Sequence, residues 1–180
     1  MTPSLQSTVK AQMQNPENDA DNGMDVLFVC TGNTCRSPMA AAYLAHLCRN
    51  SAPPHRMRIH SAGVAAMDGM PVASEARYTL EHAGITPPET CSHALTEQMV
   101  RRADLIVAMT QSHARQILKR FPGAAGKVRL LLSYTGCRDD VPDPYGGSHE
   151  VYRRCLEHMA PAIKALAGSI ANISRTDASQ

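Results

Sequence analysis

From residue 24 to residue 174, short apolar runs alternate with helical stripes. Asp25–Val29 is a short apolar run and predicts a buried strand. Pro38 opens "SPMAAAYLAHLC", where a first-turn proline is followed by Ala and Leu, so a helix is expected. Met57–Gly63 ("MRIHSAG") predicts a second strand that closes in a Ser-Ala-Gly turn. Val72–Ala83 predicts a helix ended by Gly84, and a short helix starts near Thr96. Ala103–Met109 ("ADLIVAM") predicts a central strand, Gln111–Phe121 a helix stopped by "FPG", and Lys127–Leu132 a fourth strand. Tyr152, Leu156, Met159, Ile163, Leu166 and Ile170 are spaced alternately by four and three, which puts one apolar stripe on a final helix. Pro161 falls inside that stripe and should kink it.

Strands separated by helix-sized crossovers imply a parallel sheet covered on both faces. The expected fold is α/β: a flavodoxin-like three-layer sandwich with a central four-stranded parallel sheet and helices on both faces. In such sheets ligands bind beyond the carboxyl ends of the strands, near the point where strand order reverses. Residues 24–174 form the domain. Residues 1–23 are polar, without the apolar core of a signal peptide, and are expected to be a disordered extension. Residues 175–180 are expected to be a disordered tail.

Composition removes several function classes. A formal charge of +2 without a Lys/Arg run gives no polyanion signal, and five Tyr, two Phe and no Trp supply few stacking surfaces. Nucleic acid and membrane are therefore not expected as partners, and a monomer, at most a weak dimer, is. Cys30, Cys35, Cys48, Cys91, Cys137 and Cys155, in a chain without a secretion signal, point to the reducing cytoplasm. Cys48 and Cys155 fall at apolar helix positions and read as core. Cys91 and Cys137 sit near turns and receive no role, nor do His93, His113 and His149.

The chemistry concentrates in "CTGNTCRS", Cys30–Ser37, directly after the first strand. A turn that leads into a helix aims backbone N–H groups at one point, with the helix dipole behind them. Gly32 is expected to adopt a geometry closed to side chains, and Asn33 tolerates a left-handed one. Arg36 adds a planar fork of donors suited to phosphate. The field of a helix N-terminus and a guanidinium favours the thiolate of a cysteine placed there, and Ser37 can donate to that sulfur. Such a loop is an oxyanion cradle with a nucleophile, Cys30, at its floor. Cys-x4-Cys without a partner Cys/His pair is a weak zinc pattern, and no metal or cofactor is expected. A reaction of this kind needs a proton donor. "RDDVPDPYGGS" supplies one in Asp143, held between two prolines, with Tyr145 as a wall of the cleft. Asp139 and Asp140 read as a solvated acidic turn.

These segments resemble the low-molecular-weight protein phosphatases of the cysteine-nucleophile class. The likeness runs over residues 24–174 and rests on "CTGNTCRSP", "SAG", "ADLIVAM" and "DPYGGS". It implies a phosphorylated protein substrate, Cys30 as nucleophile, Arg36 as phosphate clamp, and Asp143 as general acid and later base. It implies further that Thr31, Gly32, Asn33, Thr34, Cys35 and Ser37 line the phosphate loop and that Ser61 buttresses Asn33. Cys35 resembles the second loop cysteine, able to capture an oxidised Cys30. Thr34 resembles the bacterial protein-arginine-phosphatase branch, where phosphotyrosine members usually carry an aliphatic residue. A hydroxyl there can pair with a guanidinium leaving group, so phosphoarginine is favoured over phosphotyrosine. An arsenate reductase would need a further close cysteine pair, which Cys91, Cys137 and Cys155 do not make.

Overall fold

The computed structural model describes residues 23–50, 56–86 and 91–177. Four parallel strands form one sheet in the order β2-β1-β3-β4: β1 Gly23–Cys30, β2 Arg56–Gly63, β3 Leu105–Ala108 and β4 Val128–Leu130. Helices α1 (Arg36–Asn50), α2 (Ser74–His82), α3 (Glu97–Arg102), α4 (Gln111–Arg120) and α5 (His149–Asp177) connect and cover it. The architecture is the expected α/β sandwich.

The period of two along the strands decides which helices each face meets. Val26, Phe28 and Cys30 of β1, with Leu105 and Val107 of β3, join the core made with α1, α2 and α5. Leu27 and Val29, with Ile106 and Ala108, join the second core, which holds Val100 of α3 and Ile117 of α4. Both faces are thus buried, which is why β1 is apolar without alternation. Asp25 is the exception, buried at the start of β1. Its carboxylate accepts from Arg58 of the neighbouring β2, at 3.0 Å from Nε and 2.7 Å from Nη2. A buried charge held in this bidentate way is satisfied rather than orphaned.

The stripe on α5 is buried at all six positions from Tyr152 to Ile170. The helix continues through Pro161, whose ring faces solvent. Most element ends shift by one or two residues from expectation, as in β3, expected over Ala103–Met109, and three differences matter for the domain bounds and the sheet. Gly23, placed in the extension, pairs with Arg56 at the start of the sheet. α5 continues to Asp177, so residues 175–177 are helix rather than tail. β4 is only Val128–Leu130, because Leu131–Thr135 tightens into a 3₁₀ turn closed by Gly136 at φ 77°. Residues 1–22 and 178–180 of the expected extension and tail lie outside the described residues.

Strand order reverses between β1, whose crossover leads to β2, and β3, which lies on the other side of β1. The loop after β1 therefore opens at the switch point.

Candidate active site

The loop from Cys30 to Ser37 is held from outside by its carbonyls. Val64 N donates to Cys30 O (2.9 Å), Ala65 N to Thr31 O (3.0 Å), Ala73 N to Thr34 O (2.9 Å) and Met39 N to Cys35 O (3.2 Å). Asn33 carries the one left-handed backbone among the described non-glycine residues, φ 54°. Its amide locks that turn: Nδ2 donates to Ser61 Oγ (2.8 Å) and Ser37 Oγ (2.9 Å), while Oδ1 accepts from His93 N (2.7 Å). Asparagine suits this place because its short amide tolerates the left-handed region and bonds in both directions.

The expectation for Gly32 does not hold. Its backbone is not left-handed, and an added β-carbon would meet only Thr34 Oγ1 at 3.7 Å. The sharp turn is taken one residue later, at Asn33. The glycine that the loop requires is Gly63, at the end of β2. A β-carbon there would stand 2.4 Å from Thr31 O, 2.7 Å from Ala66 Cβ and 2.9 Å from Asn33 N. The segment 93–95 pins it further: Gly63 N donates to His93 O and Leu95 N to Gly63 O, each at 2.9 Å.

Cys30 Sγ lies at the end of β1, buried, 3.0 Å from Ser37 Oγ. Ser37 Oγ also lies 3.4 Å from Ala62 O. The hydroxyl has one hydrogen, so it can serve the carbonyl when the sulfur is a thiol and turn to the sulfur when it is a thiolate. Arg36 is buried beside it. One terminal nitrogen donates to Val141 O (3.2 Å) and the other to Asp143 Oδ2 (2.7 Å). The pair joins a guanidinium at 6% exposure to a carboxylate at 52%, so the fork lies inside and the acid at the mouth.

Asp143 is aimed by its own loop. Oδ1 accepts from Tyr145 N at 3.3 Å, an Asx-type bond that leaves Oδ2 for Arg36. Gly146 has φ 75°, and a β-carbon on Gly147 would stand 2.9 Å from Pro144 O, which accounts for the two glycines after Tyr145. The Tyr145 ring is 78% exposed. Asp140, read as a solvated turn residue, accepts the Gln111 backbone N–H at 2.7 Å and so tethers this segment to α4. Thr34 is half-buried, its Oγ1 3.5 Å from Cys35 Sγ. Cys35 is buried in the same core as Cys30, with Sγ 3.1 Å from Tyr152 Oη, and burial pushes its thiol up.

No role is assigned to His113 from the sequence, yet its imidazole is buried against the loop, Nε2 2.8 Å from Thr31 Oγ1. The available signal was position: His113 lies four residues before the buried Ile117, on the inward face of α4.

Residues 25–177 match the family described as Low molecular weight phosphotyrosine protein phosphatase. The chain belongs to that family. A protein-arginine-phosphatase of Geobacillus stearothermophilus is 39% identical over 143 residues, 79% of this chain and 93% of the relative. A protein-arginine-phosphatase of Bacillus subtilis is 37% identical over 80% of this chain and 95% of its own. The low molecular weight protein-tyrosine-phosphatase PtpB of Staphylococcus haemolyticus is 34% identical over 79% and 97%. Among solved structures, a YwlE arginine phosphatase mutant with a phosphorylated active-site serine superposes with TM-score 0.75 at 36% identity, covering 81% of this chain and 94% of that one. This low-molecular-weight phosphatase is a hydrolase of the cysteine-based class. Among its described residues no helix is long and apolar enough to cross a membrane.

Proposed function

We propose that this phosphatase hydrolyses phosphoarginine in proteins, through a phosphorylated Cys30. The observation that carries the substrate is Thr34, which puts a hydroxyl on the loop that holds Cys30 and Arg36. A guanidinium leaving group keeps N–H donors that an apolar wall would leave unpaired, at a cost of about 1–3 kcal/mol each. The relatives named for arginine support the same reading.

The loop carbonyls turn outward, which leaves its N–H groups, with the Arg36 fork, for the phosphoryl oxygens. The Cys30 thiolate, supported by Ser37, attacks phosphorus while the bond from phosphorus to the guanidino nitrogen breaks. Asp143 gives its proton to that nitrogen. The Asp143 carboxylate then takes a proton from water, which attacks the cysteinyl phosphate and frees inorganic phosphate and the thiolate. The exposed Tyr145 ring beside Asp143 favours a second reading, a phosphotyrosine substrate stacked on it, with the same steps.

The deciding measurement is kcat/KM on matched phosphoarginine and phosphotyrosine peptides, with Cys30→Ser as the blank. A phosphoarginine preference that collapses in Thr34→Ile is expected. A phosphotyrosine preference in the parent enzyme would overturn the substrate assignment and leave the mechanism.

We propose further that the enzyme works as a monomer in the cytoplasm, whose reducing conditions suit its six free cysteines. Peroxide converts the Cys30 thiolate to a sulfenic acid. The Cys35 thiol then attacks that sulfur, a disulfide forms and water leaves. Cys35→Ser should retain turnover but lose recovery by added thiol after peroxide. Recovery that persists in this variant would remove Cys35 from the role.

A further inference from the structure

His113 is the buried imidazole that no step above uses. It sits in the first turn of α4, 4% exposed, with both ring nitrogens engaged. Nδ1 lies 2.8 Å from Thr110 Oγ1, and Nε2 lies 2.8 Å from Thr31 Oγ1. Thr31 is exposed and directly follows Cys30.

The hydrogens along this chain can be counted. Thr110 Oγ1 already accepts the His113 backbone N–H at 3.1 Å, as the cap of α4, and its own hydroxyl hydrogen can be donated to Nδ1 at 2.8 Å. A neutral imidazole has one N–H. With Nδ1 accepting, that hydrogen is on Nε2 and is donated to Thr31 Oγ1. In that tautomer Thr31 accepts on its inner side, and its own hydroxyl hydrogen is left for the open side of the loop.

We infer that His113 carries its hydrogen on Nε2 and is a positioning residue that, through this ordered chain, aims the Thr31 hydroxyl as a side-chain donor to a non-bridging oxygen of the bound phosphoryl group. The inference rests on the phosphate cradle proposed above. Burial, and then the nearby Arg36 guanidinium, hold the His113 imidazole down at about 4, so the ring is neutral under working conditions and keeps one donating and one accepting nitrogen. A protonated ring would donate to both threonines and turn the Thr110 hydroxyl away. The arrangement supplies a donor of fixed direction without adding a charge beside Arg36.

Competitive inhibition by inorganic phosphate tests this in the full-length enzyme, in Thr31→Val, His113→Leu, His113→Gln and the Thr31→Val/His113→Leu double variant. A lost hydrogen bond to an anion should raise Ki about tenfold in Thr31→Val and similarly in His113→Leu. The double variant should be no weaker than either single one, and His113→Gln, which restores an N–H at that reach, should recover most of the affinity. An unchanged Ki in Thr31→Val, or losses that multiply in the double variant, would overturn the inference. If His113→Leu does not fold, the exposed Thr31→Val and the donor-retaining His113→Gln still decide it. A parent enzyme insensitive to phosphate would instead fell the cradle itself, and this assignment with it.

Discussion

A β-carbon at position 63 would overlap the Thr31 carbonyl oxygen and press on Asn33 N, both inside the Cys30–Ser37 loop. Neither atom belongs to a side chain that can swing aside, so the loop itself would have to move. Gly63→Ala should cost about 1–3 kcal/mol in urea unfolding and lower kcat/KM by far more than that loss of stability explains. Near-parent activity in a folded Gly63→Ala enzyme would show that the loop tolerates the shift. The sequence showed Gly63 only as the end of a Ser-Ala-Gly turn, because the atoms that forbid a side chain come from residues 31, 33 and 66. Asn33 was legible as a left-handed candidate. Its bond to Ser61 is the one the family resemblance implied, whereas its acceptance of the His93 backbone N–H is a property of the assembled fold.

The elements were legible where one signal dominates, as in the continuous apolar run of β1 and the stripe of α5. They were blurred where local turn chemistry competes, as at β4, which gives way to a 3₁₀ turn at Leu131. Helix α4 shows what an element adds beyond its pattern. Thr110 caps it, and the turn so formed drives His113 inward beneath the loop. The imidazole is held at about 4 against an ordinary 6.5, chiefly by burial. Between those values the unfolded chain binds a proton that the folded chain does not. Stability should therefore fall as pH drops from about 6.5 to 4, by at most about 1.4 kcal/mol per pH unit from this residue. Urea unfolding between pH 7 and pH 4 should show a shallower decline in His113→Gln. An identical decline in both proteins would mean that the native imidazole protonates freely.

At the scale of the molecule, the site is an encounter between two loops, and Arg36 and Asp143 meet across 107 residues of chain. The parallel sheet makes this unavoidable, since the loops after β1 and β4 leave from the same edge. Asp143→Asn should lower kcat on phosphopeptides by about a hundredfold or more, and by less on an aryl phosphate with a good leaving group in single-turnover phosphorylation. Equal losses on both substrates would count against a proton donor at this position. The sequence by itself determined the fold class, because strands buried on both faces and helices with one apolar stripe leave few other ways to cover a sheet. It also determined the residue types of the loop, because Cys, Arg and Ser at a strand–helix junction carry their chemistry locally. Only the tertiary structure decided that Gly63 rather than Gly32 is the obligatory glycine, that Cys35 turns to Tyr152, and that His113 reaches Thr31. Those facts depend on which distant backbone lies within a few ångströms, and a linear pattern does not record distance across a sheet.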